Sequence, residues 1–199
     1  MSIQDPVTTI IGTTSKNIHV IENFMEEFDR LKVLDYFKNF IDDQEHHHVI
    51  PKTDNEVWDI GKKYAKLMND KVQELYGLPC TLDRDIDFFI QPTGAELLPH
   101  TDIIDYEQKN FGNDDEDHRD AQRNKWGGLW SGHASAIIYI NDDYEGGELY
   151  FPQHDIQIKP KAGMFAAFPG NDNYLHGITK SFNKNRYTIS IWTKFDDFK

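Results

Sequence analysis

Residues 185–194 read Asn185-Arg186-Tyr187-Thr188-Ile189-Ser190-Ile191-Trp192-Thr193-Lys194, and their alternation decides the fold. Successive side chains on a strand point to opposite faces. Tyr187, Ile189 and Ile191 therefore share one apolar face, while Arg186, Thr188, Ser190 and Trp192 share the other. The apolar face suits packing against helices. The other suits a pocket, because Trp192 is too large and apolar for open water. A buried Arg186 needs an anionic partner to offset its desolvation. A bound carboxylate would serve, since a guanidinium is a planar fork of donors that stays protonated.

Working outward from that strand, residues from Thr81 onward read as short strands broken by turns, with candidates at 84–91, 97–103, 134–141, 147–151, 155–159, 163–168, 173–177 and 185–194. Upstream, Asn17 to Phe24 reads as a short strand. Phe24, Phe28, Leu31, Leu34, Phe37 and Ile41 then recur at helical spacing. The polar stretch 42–52, with His46-His47-His48, reads as a loop. Thr53 with Glu56 forms a capping-box signature for a second helix. Its buried face is Val57, Ile60, Tyr64, Leu67, Met68, Val72 and Leu75, and Gly77 with Pro79 ends it. Two helices followed by about eight strands predict an α+β, mainly β chain, a closed or two-sheet β structure with helices on one face. The expected organisation is a single domain, residues 1–199, with 1–80 as helical support and 81–199 as the β core.

Composition narrows the function. A net charge of -13 argues against a general nucleic-acid binder, which needs a basic face for phosphates. Cys80 is the only cysteine, so an intrachain disulfide or zinc ribbon is excluded and a reducing compartment fits. No apolar run approaches the ~20 residues of a membrane span. The expectation is a soluble, intracellular protein, with no membrane or nucleic-acid partner and an oligomeric state the sequence does not set. Residues 104–132 form a long acidic insertion ending in Trp126-Gly127-Gly128-Leu129-Trp130. A loop that long is usually functional or disordered; a lid is the expectation and a surface insertion the alternative.

Chemistry gathers in two patches, Leu98-Pro99-His100-Thr101-Asp102 and Leu175-His176-Gly177-Ile178. Two imidazoles and one carboxylate form the ligand set of a mononuclear non-haem Fe(II) site with open positions. On a strand, His100 and Asp102 share a face and can converge on one ion. His-x-Asp alone is weak; a second patch with a histidine and an arginine ten residues later raises its weight. Three adjacent histidines cannot all face one ion, so His46-His47-His48 suits a solvated loop. His133 and His154 suit structural or surface roles. His118 lies in the insertion, and Cys80 has no partnered base.

Gly146-Gly147-Glu148-Leu149-Tyr150-Phe151-Pro152, then Lys159-Pro160-Lys161-Ala162-Gly163-Met164, then His176, Arg186 and Trp192, resembles the 2-oxoglutarate- and Fe(II)-dependent oxygenases, and within them the prolyl 4-hydroxylase branch. The resemblance covers roughly residues 84–195, and the ordered set is more specific than any member. It implies a double-stranded β-helix (jelly-roll or cupin-like) with N-terminal supporting helices. It implies His100, Asp102 and His176 as metal ligands, Arg186 on the C5 carboxylate of 2-oxoglutarate with Thr188 and Tyr139 beside it, and Leu149 and Trp192 lining that pocket. The implied cofactors are Fe(II), 2-oxoglutarate and O2, with ascorbate as an accessory. The implied reaction hydroxylates a substrate, a prolyl residue in a protein or peptide, with release of succinate and CO2. The chain departs from the pattern at Gln91-Pro92-Thr93-Gly94, where many relatives carry Tyr-x-x-Gly, and Arg186 stands where collagen-type members use lysine. The alternatives are a free amino acid or other small-molecule substrate, or a non-catalytic metal- or sugar-binding β-barrel. A mere metal-binding barrel has no need of a dicarboxylate clamp beside its ligands.

Overall fold

The alternation of 185–194 is realised in one long strand, β14 (Arg186–Phe195), the spine of a computed structural model that describes residues 10–12, 17–39, 47–49, 55–83, 86–102 and 133–196. The preceding strands are β1 (Ile10–Gly12), β2 (His19–Ile21), β3 (His47–Val49), β4 (Cys80–Leu82), β5 (Asp87–Gln91), β6 (Leu97–His100) and β7 (His133–Tyr139). Then come β8 (Glu145–Gly146), β9 (Leu149–Phe151), β10 (Ile156–Ile158), β11 (Phe165–Pro169), β12 (His176–Ile178) and β13 (Ser181–Phe182). The helices are α1 (Glu27–Asn39) and α2 (Glu56–Tyr76).

A seven-stranded sheet runs β2-β11-β7-β14-β5-β3, with β4 also on β14, and a five-stranded sheet runs β1-β10-β9-β12-β6. The chain changes sheet as it advances. Strand β5 lies in the larger sheet, β6 in the smaller, β7 in the larger, β9 and β10 in the smaller, β11 in the larger, β12 in the smaller and β14 in the larger. That winding is a double-stranded β-helix, as the resemblance implies. Every pairing among these strands is antiparallel.

The two faces of β14 separate two cores. Ile189 and Ile191 join Ala136, Ile138, Phe88 and the helical Phe37, Tyr64 and Met68 in one cluster. Tyr139, Leu149, Phe151, Ile158 and Phe168 form the other, between the sheets. Helix α2 packs through Ile60, Gly61, Tyr64, Ala65, Met68 and Val72. Gly61 is needed there, because a Cβ would lie 2.6 Å from the Phe88 ring. Gly77 ends the helix in the left-handed region, φ 66°, its N–H donating to Gln73 O, as expected for a C-terminal glycine.

Local readings are corrected in several places. Asn55, not Thr53, caps α2, its side chain accepting from Trp58 N; Thr53 lies outside the described residues. Helix α1 begins at Glu27, so Phe24 precedes it and the apolar register shifts. Its buried positions are Asp29, Arg30, Val33 and Phe37, and Phe28 and Leu31 are exposed. Arg30 enters because its Nη1 donates to Ile140 O at 2.7 Å while Glu27 holds the rest of the guanidinium. Leu67, expected inside, is exposed. His47–Val49, read as loop, pairs with β5. Residues 173 and 174, read as the start of a strand, belong to a 3-10 turn capped by Asn171, and the strand begins at His176. Strand β2 falls within the short strand expected at 17–24, and it and β1, which was not anticipated, extend the two sheets. No helix among the described residues is long and apolar enough to cross a membrane.

Candidate active site

Antiparallel pairing places His176 of β12 directly opposite His100 of β6. Strand β6 ends there, and Asp102 lies two residues beyond. The convergence expected from strand parity is therefore reached by the chain leaving the sheet edge rather than by a continued ladder. One ligand atom from each of His100, Asp102 and His176 lies within 4.8 Å of the others. Asp102 Oδ2 is 3.3 Å from His176 Nε2, and Asp102 Oδ1 is 3.5 Å from His100 Nε2. The group grades from buried to open: His176 is 5 % exposed, Asp102 16 % and His100 41 %.

Both imidazoles are oriented from behind. His100 Nδ1 is 2.8 Å from Leu98 O, and His176 Nδ1 is 3.1 Å from Tyr174 O. A carbonyl only accepts, so each Nδ1 carries the proton and donates it. In the neutral rings Nε2 then presents a lone pair toward the Asp102 carboxylate. Three electron-rich atoms facing one point can hold a cation, and backbone-held histidines are the usual support for a bound metal. The same attraction acts on protons. Burial opposes charge on Asp102, yet hydrogen bonds from His100 and His176 outweigh it and hold this carboxyl well below the usual range, with Ser135 contributing. The bond to Asp102 raises His100, against its burial. Phe168 and Phe151 wall His176, with ring centroids at 4.4 and 5.9 Å.

Farther along the same inner face lies the second group. Ser135 and Tyr139 are four residues apart on β7, a rise of about 13 Å, so the strand spans from Asp102 to Arg186. Arg186 is 1 % exposed. Its Nη1 is 3.4 Å from Gln91 Oε1, a long contact, and its Cζ is 5.0 Å from the Tyr139 ring centre. Arg186 Nε and Nη2 and the Tyr139 and Tyr144 hydroxyls are buried without hydrogen-bond partners among the described residues. No carboxylate is paired with Arg186 among those residues. Burial pushes both tyrosine hydroxyls up, the Arg186 charge opposing it, so both remain donors at neutral pH. Four buried donors around one point fit an anion with several acceptor lone pairs, such as a carboxylate. Thr188, paired with Tyr139 across the sheet, is buried beside them. Leu149 is in the core between the sheets, and Trp192 is half-buried, its position pairing with Ser135 near Asp102.

Residues 104–132, including His118, lie outside the described residues. His154 stacks on Tyr174 at 4.7 Å, its Nε2 2.7 Å from Asn173 O, a structural role. Cys80 sits buried beside Asn69, away from either group. Sequence reasoning missed Ser135 and Tyr144. Parity on β7, which puts Ser135 on the face of Tyr139, was a usable signal for the first. No local signal marked Tyr144, because its burial depends on the Gly146-Gly147 turn.

Residues 88–194 match the model of the 2OG-Fe(II) oxygenase superfamily. Prolyl 3-hydroxylase 2 of Rattus norvegicus is 34% identical over 67 residues, 31% of this chain and 10% of that protein. Its Homo sapiens counterpart gives the same figures. The matched segment thus spans about a tenth of the curated relatives' length. Among solved structures, the viral collagen prolyl hydroxylase of Paramecium bursaria Chlorella virus-1, in a 2OG complex, superposes with TM-score 0.60 at 17% identity, covering 90% of this chain and 96% of that one. A Trichoplax adhaerens prolyl hydroxylase, in complex with a hypoxia inducible factor peptide fragment, gives TM-score 0.62 at 15% identity, covering 92% and 85%. These structural likenesses bear on the fold.

Proposed function

Because the chain belongs to the 2OG-Fe(II) oxygenase superfamily, we propose that it is a 2-oxoglutarate-dependent hydroxylase in which His100, Asp102 and His176 hold Fe(II) and Arg186 holds the co-substrate. The observation that carries this reading is the buried Arg186 with Nε and Nη2 unpaired among the described residues. A guanidinium so placed is costly unless an anion completes it, and the distal carboxylate of 2-oxoglutarate is such an anion. Tyr139 and Thr188 flank it, and Leu149 and Trp192 supply apolar and aromatic wall.

When bound, Fe(II) with 2-oxoglutarate supplies the redox chemistry that consumes O2, releases succinate and CO2 and adds one oxygen atom to a substrate C–H. The protein's own contribution is placement. The Leu98 and Tyr174 carbonyls fix both histidine tautomers, and Asp102 supplies the negative charge. Arg186 sets the depth to which the dicarboxylate enters. Phe151 and Phe168 exclude water around His176. The half-exposed His100 leaves substrate an approach on that side.

The substrate we infer is a prolyl residue in a protein or peptide, supported by the prolyl hydroxylases that share sequence or fold with this chain. Ascorbate would serve as the reductant that keeps iron ferrous. Anaerobic addition of 2-oxoglutarate to the Fe(II)-loaded protein should produce a visible metal-to-ligand charge-transfer band. A wild-type protein without the band, or an unaltered band in His176→Ala, would overturn the assignment. Mass-spectrometric search for +16 Da products in proline-containing peptides tests the substrate, and oxidation only of non-prolyl sites would redirect it.

A further inference from the structure

We propose that Tyr144, which lies outside the ligand set read from the sequence, is a second hydroxyl donor to the co-substrate's distal carboxylate, so that Arg186, Tyr139 and Tyr144 grip it together. This rests on the proposed role of Arg186 and deepens it.

Three observations place Tyr144 there. First, Tyr144 is buried, 8% exposed, although Asp142, Asp143 and Glu145 around it are exposed. Second, it packs on the same glycine as Arg186. Gly147 has φ +67°, and a Cβ there would lie 2.7 Å from Tyr144 Cε2 and 3.3 Å from Arg186 Cδ. The absent side chain is what lets the tyrosine ring and the arginine stem lie together, as glycine permits both the backbone conformation and the close approach. Third, its hydroxyl has no hydrogen-bond partner among the described residues, like the Tyr139 hydroxyl and two guanidinium nitrogens beside it. A buried hydroxyl left unmatched is unfavourable. Four unmatched donors share one region, and a single carboxylate, with about four lone-pair sites, satisfies them together.

The remaining neighbour, Gln91, works differently. Its Nε2 donates to Ala95 O at 2.8 Å, which turns Oε1 toward Arg186 Nη1. Gln91 therefore occupies one edge of the guanidinium and leaves Nε and Nη2 for the ligand. It is a positioning residue, and Tyr144 is a binding one.

Tyr144→Phe keeps the ring on Gly147 and removes only the hydroxyl. The test is binding calorimetry on anaerobic, Mn(II)-loaded protein, with 2-oxoglutarate and with 2-oxopentanoate, which replaces the distal carboxylate by a methyl. The variant should bind 2-oxoglutarate about tenfold more weakly, the scale of one hydrogen bond to a charged group, and 2-oxopentanoate unchanged. Equal loss for both ligands, or no loss for either, would overturn the role of Tyr144. Arg186→Met separates the two levels. If it loses 2-oxoglutarate while Tyr144→Phe does not, only the Tyr144 inference falls. If Arg186→Met also binds 2-oxoglutarate normally, the underlying clamp falls with it.

Discussion

The two ends of the inner face solve opposite electrostatic problems. At the His100–Asp102–His176 end, a carboxylate lies between two imidazoles, and its bond to His100 raises that ring's pKa, so the group can balance its own charge. At the Arg186 end, a cation that cannot lose its proton is surrounded by further donors and one amide oxygen. The first end is partly open and the second nearly sealed. Selectivity between ligands therefore differs. On the proposed reading, a divalent cation that outcompetes protons enters the first, whereas the second takes an anion. The contrast makes Arg186 the costlier of the two ends to leave without a ligand.

The largest effect expected is from Asp102→Ala. It removes the only anion at the triad and leaves two imidazoles facing each other at 4.6 Å between ring centres. Iron affinity should fall by roughly 100-fold or more, the scale of losing a metal-ligand or its support, measured by anaerobic Fe(II) or Co(II) titration. Near-normal affinity would show that Asp102 is not a metal ligand. Next is Arg186→Met. It should weaken 2-oxoglutarate binding by 2–5 kcal/mol, to order of magnitude, as for truncation of a buried charge pair. The same variant should leave the ligand-free protein equally stable or more stable, by about 1–4 kcal/mol, because replacing a buried charge by an apolar side chain removes desolvation cost. Thermal denaturation without ligand checks this, and a large fall in Tm would show that Arg186 is compensated in a way its described contacts do not reveal.

Much of this contrast was legible in the sequence, for reasons that differ between residues. The parity of 185–194 survives because β14 is central, with a neighbour on each side and a core on each face, so tertiary packing reinforces the local pattern. His100 and His176 could be paired because short motifs on adjacent strands carried them. Asp102 comes near the histidines by a route that strand parity does not describe, since β6 stops at His100. Helix α1 misled because an arginine anchored on Ile140 O displaced the apolar residues expected inside. That contact spans 110 residues of chain, and nothing within the helix announces it. Tyr144 was hidden for the same reason, its neighbours being set by a turn and a distant strand.

A smaller effect should follow from Gly147→Ala. With φ at +67° and a Cβ 2.7 Å from Tyr144, the cost is about 1–3 kcal/mol of stability, read by denaturant unfolding. Because Arg186 Cδ would also be crowded, 2-oxoglutarate binding should weaken while metal affinity stays unchanged, dividing the two ends by one methyl group. Loss of both would mean that they share a single cooperative unit.

The smallest effect is expected at Cys80, which lies in the helix-backed core away from both ends. Burial pushes its thiol up to about 11, the neighbouring Thr193 hydroxyl opposing this only in part. Protonated thiol is unreactive, so at pH 8 only about one molecule in a thousand carries the thiolate, against about one in four at an ordinary cysteine pKa. Alkylation should therefore be slow in the folded protein and rise with pH through 9 and 10. Metal and 2-oxoglutarate should change that rate only as far as they change global stability. In Arg186→Met without ligand the rate should stay level or fall, in Gly147→Ala it should rise, and in both it should follow unfolding free energy. A ligand effect on Cys80 larger than the stability change would show that the inner face communicates directly with the helices, and the two ends could no longer be treated as separate from their support.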